Sequence, residues 1–126
     1  MEFMSQEHVD AMNALLRDEP TVRAACAALD RPYVIGYRLP DGERTVHWYV
    51  AFDESVQFGL TEHPALDVVV VSPWVDMIRS TVASRSGAAY EAPVEIEGDP
   101  DVLGITAPAL EAARAVATVP VTFPSV

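Results

Sequence analysis

Residues 66–99 constrain this chain more than any other stretch, because they read as a strand, a helix and a second strand with little freedom between them. Leu66-Asp67-Val68-Val69-Val70-Val71-Ser72 is β-branched almost throughout. Such a run is expected to be covered on both faces, which makes it the candidate for the middle of a sheet. Ser72-Pro73 then supplies a helix start, with Ser72 as N-cap and Pro73 at the first helical position, where a missing N–H loses nothing. Val75, Ile78 and Val82 follow at helical spacing, Trp74 and Met77 widen the stripe, and Gly87 can take the left-handed conformation that ends it. After a bend at Glu91-Ala92-Pro93, Val94-Glu95-Ile96-Glu97 alternates apolar and charged residues and closes on Gly98-Asp99, the pattern of a strand with one wet face.

Upstream, residues 5–29 read as two helices. Val9, Met12, Leu15 and Leu16 mark one face of the first, and Val22, Ala25, Cys26 and Leu29 one face of the second. The break falls at Arg17-Asp18-Glu19-Pro20, with Asp18 the expected cap and Pro20 in the next first turn. The period changes to two after Pro32. Tyr33, Ile35, Tyr37 and Leu39 share a face, Pro40-Asp41-Gly42-Glu43 reads as a hairpin turn with Asp-Gly as its strongest signal, and Trp48, Val50 and Phe52 form the more apolar face of the second strand. Val56, Phe58 and Leu60 mark a third, completing an antiparallel meander. Downstream of Asp99 we expect a short turn over residues 101–103, a helix over residues 107–117 and an extended tail with two prolines. The expected fold class is α+β, a single domain over residues 1–126 with a five-stranded, mostly antiparallel sheet and helices packed on one face.

Composition narrows the function. Hydrophobic residues make up 50% of the 126 residues and mean hydropathy is +0.15, yet no apolar run approaches the ~20 residues of a membrane span. Either the core is generous or an apolar cavity needs lining. The net charge of −11 comes from 19 acids against 8 bases, all arginine, so the surface repels phosphate backbones and anionic headgroups. Nucleic acid is therefore not an expected partner, nor is integral or charge-driven membrane association. Met1-Glu2-Phe3 is acidic and short, without a secretory pattern, and Met4 reads as the natural start. The expected location is cytoplasmic.

No standard catalytic or nucleotide-binding signature is present: there is no Gly-rich phosphate loop, His-Glu-x-x-His, Gly-x-Ser-x-Gly or cysteine pair. His8, in a first helical turn, and His63, before a proline, are expected in solvent. His47 faces opposite to Trp48 on its strand and is expected to meet water or a dimer partner; no carboxylate stands at a fixed spacing to orient it as a base. Cys26, among alanines, reads as a small buried hydrophobe. Glu95, Glu97, Asp99 and Asp101 form an acidic run, but alternation spreads the two glutamates along one sheet face instead of wrapping them around a cation. No metal and no cofactor is expected.

The order of elements resembles the sterol carrier protein family of lipid-transfer domains, in a small bacterial, stand-alone form. The resemblance is carried by Phe52, Val56 and Phe58 in the meander, Asp67-Val68-Val69-Val70 followed by Ser72-Pro73, Gly87, and above all Val94-Glu95-Ile96-Glu97-Gly98-Asp99. It implies helices on one side of the sheet, an apolar tunnel between the two layers, no catalytic motif, and a fatty acyl, sterol-like or polycyclic ligand. The implied lining is Trp48, Val50 and Phe58 from the strands and Trp74, Met77, Ile78 and Val82 from the helix, with Leu103 and Ile105 closing one end. Outside this resemblance such a stripe is ordinary core. The chain departs from the family in lacking a terminal Ser-Lys-Leu address and in its acidic, lysine-free surface, which puts transfer between anionic membranes in doubt. Two alternatives stand beside ligand carriage. One is a homodimeric accessory module of an enzyme with a collapsed cavity; in a homodimer, apolar residues such as Val34, Val69 or Val71 on the free sheet face would be buried by the partner. The other is a small polyketide cyclase or isomerase, which needs a His/Asp pair inside the pocket.

Overall fold

The computed structural model describes all 126 residues. Its elements are α1 (Gln6–Leu16), α2 (Pro20–Ala27), β1 (Tyr33–Asp41), β2 (Arg44–Phe52), β3 (Val56–Gly59), β4 (Val68–Val71), α3 (Trp74–Arg85), β5 (Glu95–Gly98) and α4 (Asp101–Ala117). The strands form one sheet in the order β3-β2-β1-β4-β5. All pairings are antiparallel except β1 with β4, which run parallel. The fold is α+β with a mostly antiparallel sheet, as the alternation and turn signals predict.

Register aligns the main apolar positions of neighbouring strands on one face. Tyr33 pairs with Phe52, Ile35 with Val50 and Tyr37 with Trp48; on the flanks Val50 pairs with Phe58 and Ile35 with Val68. Helices cover this face, and the core joins Ile35, Val50, Phe52, Val56 and Val68 to Val9, Met12 and Leu16 of α1, Val22 and Cys26 of α2, and Val102, Ala109, Ala113 and Ala117 of α4.

Several local expectations are corrected by tertiary contacts. The centre of the sheet is β1, not the valine run. At nine residues β1 has both edges paired, whereas β4 lies one strand from the edge, with Val68 and Val70 buried and Val69 and Val71 only half-buried. Ser72 does not cap α3: its Oγ donates to the Pro93 carbonyl at 2.8 Å, tying the bend before β5 to the end of β4, and Pro73 takes the N-cap position. Glu19, not Asp18, caps α2 by accepting from the Thr21 N–H at 3.2 Å. β5 begins one residue later than the alternation implies and is exposed on both faces, because it is an edge strand with nothing packed on Ile96. α4 is one continuous helix that runs through Pro108. Its buried stripe, Val102, Thr106, Ala109, Ala113 and Ala117, continues across the proline, and packing on α1 and α2 outweighs a break worth ~3 kcal/mol. Gly87 behaves as expected, at φ +75° just past α3.

The reverse face of the sheet is not open. Residues 60–67 fold back over it, with Leu66 resting in the space above Gly36, where a Cβ would lie 2.8 Å from Leu66 Cδ2. Asp67 anchors this segment: one carboxylate oxygen accepts from the Val34 N–H at 2.8 Å and the other pairs with Arg31 at 3.0 Å. Val34 is consequently only 9% exposed, so the expected apolar patch shrinks to Val69 and Val71. The two chain ends meet as well. Phe3 N–H donates to the Thr122 carbonyl at 2.9 Å, Thr122 N–H to the Met1 carbonyl at 2.8 Å, and the rings of Phe3 and Phe123 lie 5.0 Å apart.

Candidate functional site

Between the covered face of the sheet and the helices lies a cavity of about 490 Å³, lined by 18 residues, 11 of them hydrophobic. Its floor is Tyr37, Trp48, Val50 and Phe58, the same alternating positions that build the core. Two helices form the walls. From α3 come Met77, Ser80, Thr81, Ser84 and Arg85, and from α4 come Leu110, Ala113, Arg114 and Ala117, with Thr118 just beyond. Each set follows the i, i+3, i+4, i+7, i+8 spacing of a single helix face. His8 and Met12 of α1 and the preceding Phe3 and Met4 complete the enclosure.

Charge is distributed against the bias of the chain. With 19 acids and 8 arginines overall, the lining contains Arg85 and Arg114 and no acidic side chain. Both arginines are solvent-exposed and therefore stand at the mouth. Arg85 is held there by donating to the Val119 carbonyl at 2.7 Å, with its guanidinium 5.2 Å from the centre of the Phe123 ring. Burial pushes the Tyr37 hydroxyl above its ordinary pKa, with Arg114 opposing, so the phenol stays protonated.

His8 is 1% exposed, contrary to the expected solvated position. The amino-terminal residues fold back over the start of α1, and Phe3 packs 5.6 Å from the imidazole and 6.0 Å from Trp48. Met4 N–H donates to His8 Nδ1 at 2.9 Å. Burial, followed by Arg85 and the amino terminus, lowers the His8 pKa below its ordinary value. Its Nε2 is buried without a hydrogen-bond partner.

Of the residues expected as lining, Trp48, Val50, Phe58 and Met77 border this cavity, and the other five do not. Trp74 packs edge-on to Trp48 with ring centres 6.0 Å apart, and Arg44 lies 5.5 Å over it. Ile78 is fully buried where α3 meets β1, Val82 is 41% exposed, Leu103 is half-buried against the core, and Ile105 is 42% exposed. The helix turns its Met77-Ser80-Thr81-Ser84-Arg85 side to the cavity in place of the more apolar stripe. That second face is visible in the sequence, but hydrophobicity alone ranks it below the first.

A smaller cavity of about 250 Å³ sits on the reverse face, bordered by Arg38, His47, Glu62 and His63 among others. His47 Nε2 lies 3.3 Å from Glu62 Oε1, and the His63 ring stands at an angle to Tyr49 with centres 4.8 Å apart. No three His, Cys, Asp or Glu side chains are arranged here or elsewhere to hold a metal ion. Cys26 is 4% exposed, and burial, with help from Asp53, raises its thiol pKa, which leaves it a wall atom of the core.

No protein-family model matches the sequence. No curated protein matches it either. Solved structures do. Sterol carrier protein 2 from Yarrowia lipolytica, in its apo form, superposes with a TM-score of 0.52 at 14% identity over 93% of this chain and 94% of that one. A conserved hypothetical protein from Thermus thermophilus, described in terms of sterol carrier protein, gives 0.52 at 18% identity over 95% and 93%. A UbiJ-SCP2 ubiquinone synthesis protein gives 0.50 at 19% identity over 83% and 90%. The chain therefore has the fold of these sterol carrier proteins, an α+β arrangement of one mostly antiparallel sheet and four helices. None of its helices is long and apolar enough to cross a membrane.

Proposed function

We propose that the protein binds and carries an apolar, chain-like or polycyclic molecule in the cavity between sheet and helices, without transforming it. The reading rests on the lining: a mostly hydrophobic cavity, open at one side, whose only charges in a strongly acidic chain are two arginines at its mouth. A long-chain fatty acid matches that arrangement, with its methylenes against Trp48, Val50, Phe58 and Met77 and its carboxylate at Arg85 and Arg114. Each methylene removed from water contributes about 0.8 kcal/mol, so the chain supplies most of the affinity. The arginines add orientation, at about tenfold for a partly exposed charge-assisted contact. A cyclase or isomerase would need an acid beside a histidine in the ligand pocket; no acid lines the larger cavity, and the His47–Glu62 pair belongs to the smaller one on the reverse face. The test is calorimetric titration of delipidated protein with hexadecanoic acid and hexadecanol. Saturable binding of both is expected, and the Arg85→Gln/Arg114→Gln double variant should weaken only the acid. Absence of saturable binding by either molecule overturns the reading.

The second reading is a homodimeric or enzyme-associated accessory module, favoured by the open edge at β5, where Val94 is 50% and Ile96 39% exposed. One neighbour in fold carries the name of a ubiquinone synthesis protein. Light scattering that reports a dimer, together with failure of ligand titration, would place this reading ahead of the first.

A further inference from the structure

The two edges of the sheet are finished differently. At β3 the outer edge is closed from within: the Asn13 side chain of α1 donates Nδ2 to the Phe58 carbonyl at 3.0 Å and accepts from the Phe58 N–H at 2.8 Å, as a neighbouring strand would. Ser55 Oγ donates to the Leu16 carbonyl at 2.6 Å and ties the start of β3 to the same helix. β5 has no such cover, and every residue from 93 to 100 is exposed. In an antiparallel ladder, opposed pairs alternate between hydrogen-bonded and unbonded. The Asp99 N–H donates to the Asp67 carbonyl at 3.1 Å, so Glu97 opposite Val69 and Glu95 opposite Val71 are the bonded pairs. The main-chain N–H and C=O of Ile96 and Gly98 therefore point to the free edge, where a further strand would take them up.

Side chains sort this edge by face. Glu95 and Glu97 stand beside Val71 and Val69 on the reverse face of the sheet, while Ile96 stands beside Val70 on the helix-covered face. Arg38 pairs with Glu97, whereas Glu95, Asp99 and Asp101 have no cationic partner. Two copies joined edge to edge about Ile96 would set Glu95 of each against Glu97 of the other, in chains that each carry a net charge of −11. The acids thus oppose a second copy and favour a strand that brings cations.

We propose that the free edge of β5 takes up, as a sixth strand, an extended segment of a different protein that alternates arginine or lysine with apolar residues, the cations facing Glu95 and Glu97 and the apolar side chains facing Ile96. This rests on the accessory reading above, names its surface and its partner's chemistry, and is independent of what fills the cavity.

The probe is the peptide Arg-Val-Arg-Val-Arg-Val-Arg, blocked at both ends and titrated into the full-length protein, with a control of the same composition that has all its arginines first. At saturation with the alternating peptide, the Ile96 and Gly98 amides should exchange with solvent at least about tenfold more slowly, the equivalent of one net backbone hydrogen bond each. That readout needs no variant to fold. Glu95→Gln/Asp99→Asn should weaken the alternating peptide about fivefold. Ile96→Pro removes an outward N–H, leaves the bonds of Glu95 and Glu97 to β4 in place, and should weaken it at least about tenfold. Circular dichroism verifies the fold of both variants. If the two peptides bind alike, or the alternating one binds without slowing the Ile96 and Gly98 amides, the acids act only as a charged surface and the proposal falls. Absence of binding by either peptide overturns it as well. A dimer in light scattering that Ile96→Pro dissociates would make a second copy the occupant and also overturn it. A dimer that Ile96→Pro leaves intact, with no peptide binding, rejects this proposal and keeps the accessory reading through another surface.

Discussion

Ser80→Leu should shorten the longest chain the cavity accepts. Ser80 is half-buried on the cavity face of α3, between Met77 and Ser84. Allowing roughly 30 Å³ for each methylene at the packing density of protein interiors, a cavity of about 490 Å³ holds about sixteen. Affinity for saturated fatty acids should therefore rise about fourfold per added carbon, the equivalent of ~0.8 kcal/mol, and flatten near sixteen carbons. Leucine has two more side-chain heavy atoms than serine and is the better helix former, so the change fills space without weakening α3. The point of flattening should move to about fourteen carbons. A sixteen-carbon acid should lose ~1.6 kcal/mol, about fifteenfold in Kd, while a ten-carbon acid keeps or gains affinity from the added apolar wall. Calorimetry over even chain lengths, with circular dichroism to verify the fold, measures both effects. Equal losses at every length, or an unchanged point of flattening, would show that the chain and the Ser80 side chain do not compete for the same space.

Stability should depend on pH through His8. Its pKa in the folded state lies below the ordinary 6.5, so as pH falls past that value the unfolded chain takes up a proton before the folded one does, and stability is lost from there down to the lowered folded pKa. Urea unfolding at pH 7.5 and at pH 5.5 should show a smaller acid-side loss in His8→Phe than in the wild type; identical losses would refute a buried neutral imidazole. Gly98→Ala should destabilise by about 1–3 kcal/mol, because Gly98 has φ +90° and an added Cβ would lie 2.7 Å from the Asp67 carbonyl oxygen. Gly104→Ala, in α4 with open space around it, should instead stabilise by about 0.5–1 kcal/mol, and thermal melts of the two variants should move in opposite directions.

Much of the architecture is written in short-range pattern. The alternation of Trp48, Val50 and Phe52 against His47, Tyr49 and Ala51 needs no partner to be read, since successive residues of any strand face opposite ways, and the structure buries Trp48, Val50 and Phe52 on the helix-covered face. The hairpin turns at Gly42-Glu43, with Gly42 at φ +62° and Asp41 paired to Arg44, one residue later than the Asp-Gly signal implies, and this fixes the register of β1 and β2. Gly87 ends α3 for reasons confined to its own backbone. The floor of the candidate site was legible through the same alternation.

The walls were not, because the rotation of a helix about its axis depends on what lies beside it. The stripe of Val75, Ile78 and Val82 is the more apolar face of α3, yet the helix buries Ile78 against β1, exposes Val82 and presents Ser80, Thr81, Ser84 and Arg85 to the cavity. Pro108 shows the same override: local signals start a separate helix at residue 107, and the continuous buried stripe packed on α1 and α2 joins it to the preceding turn as one helix. His8 is the extreme case. Nothing within its own turn indicates burial, and it is enclosed only when Phe3 folds over it and the carboxy-terminal tail, at Thr122 and Phe123, closes on Phe3. Local pattern determined the strands, their turns and the apolar face of the sheet, since each depends on neighbours in sequence. Packing between elements far apart in sequence decided which side chains wall the cavity, and the meeting of the two chain ends enclosed His8.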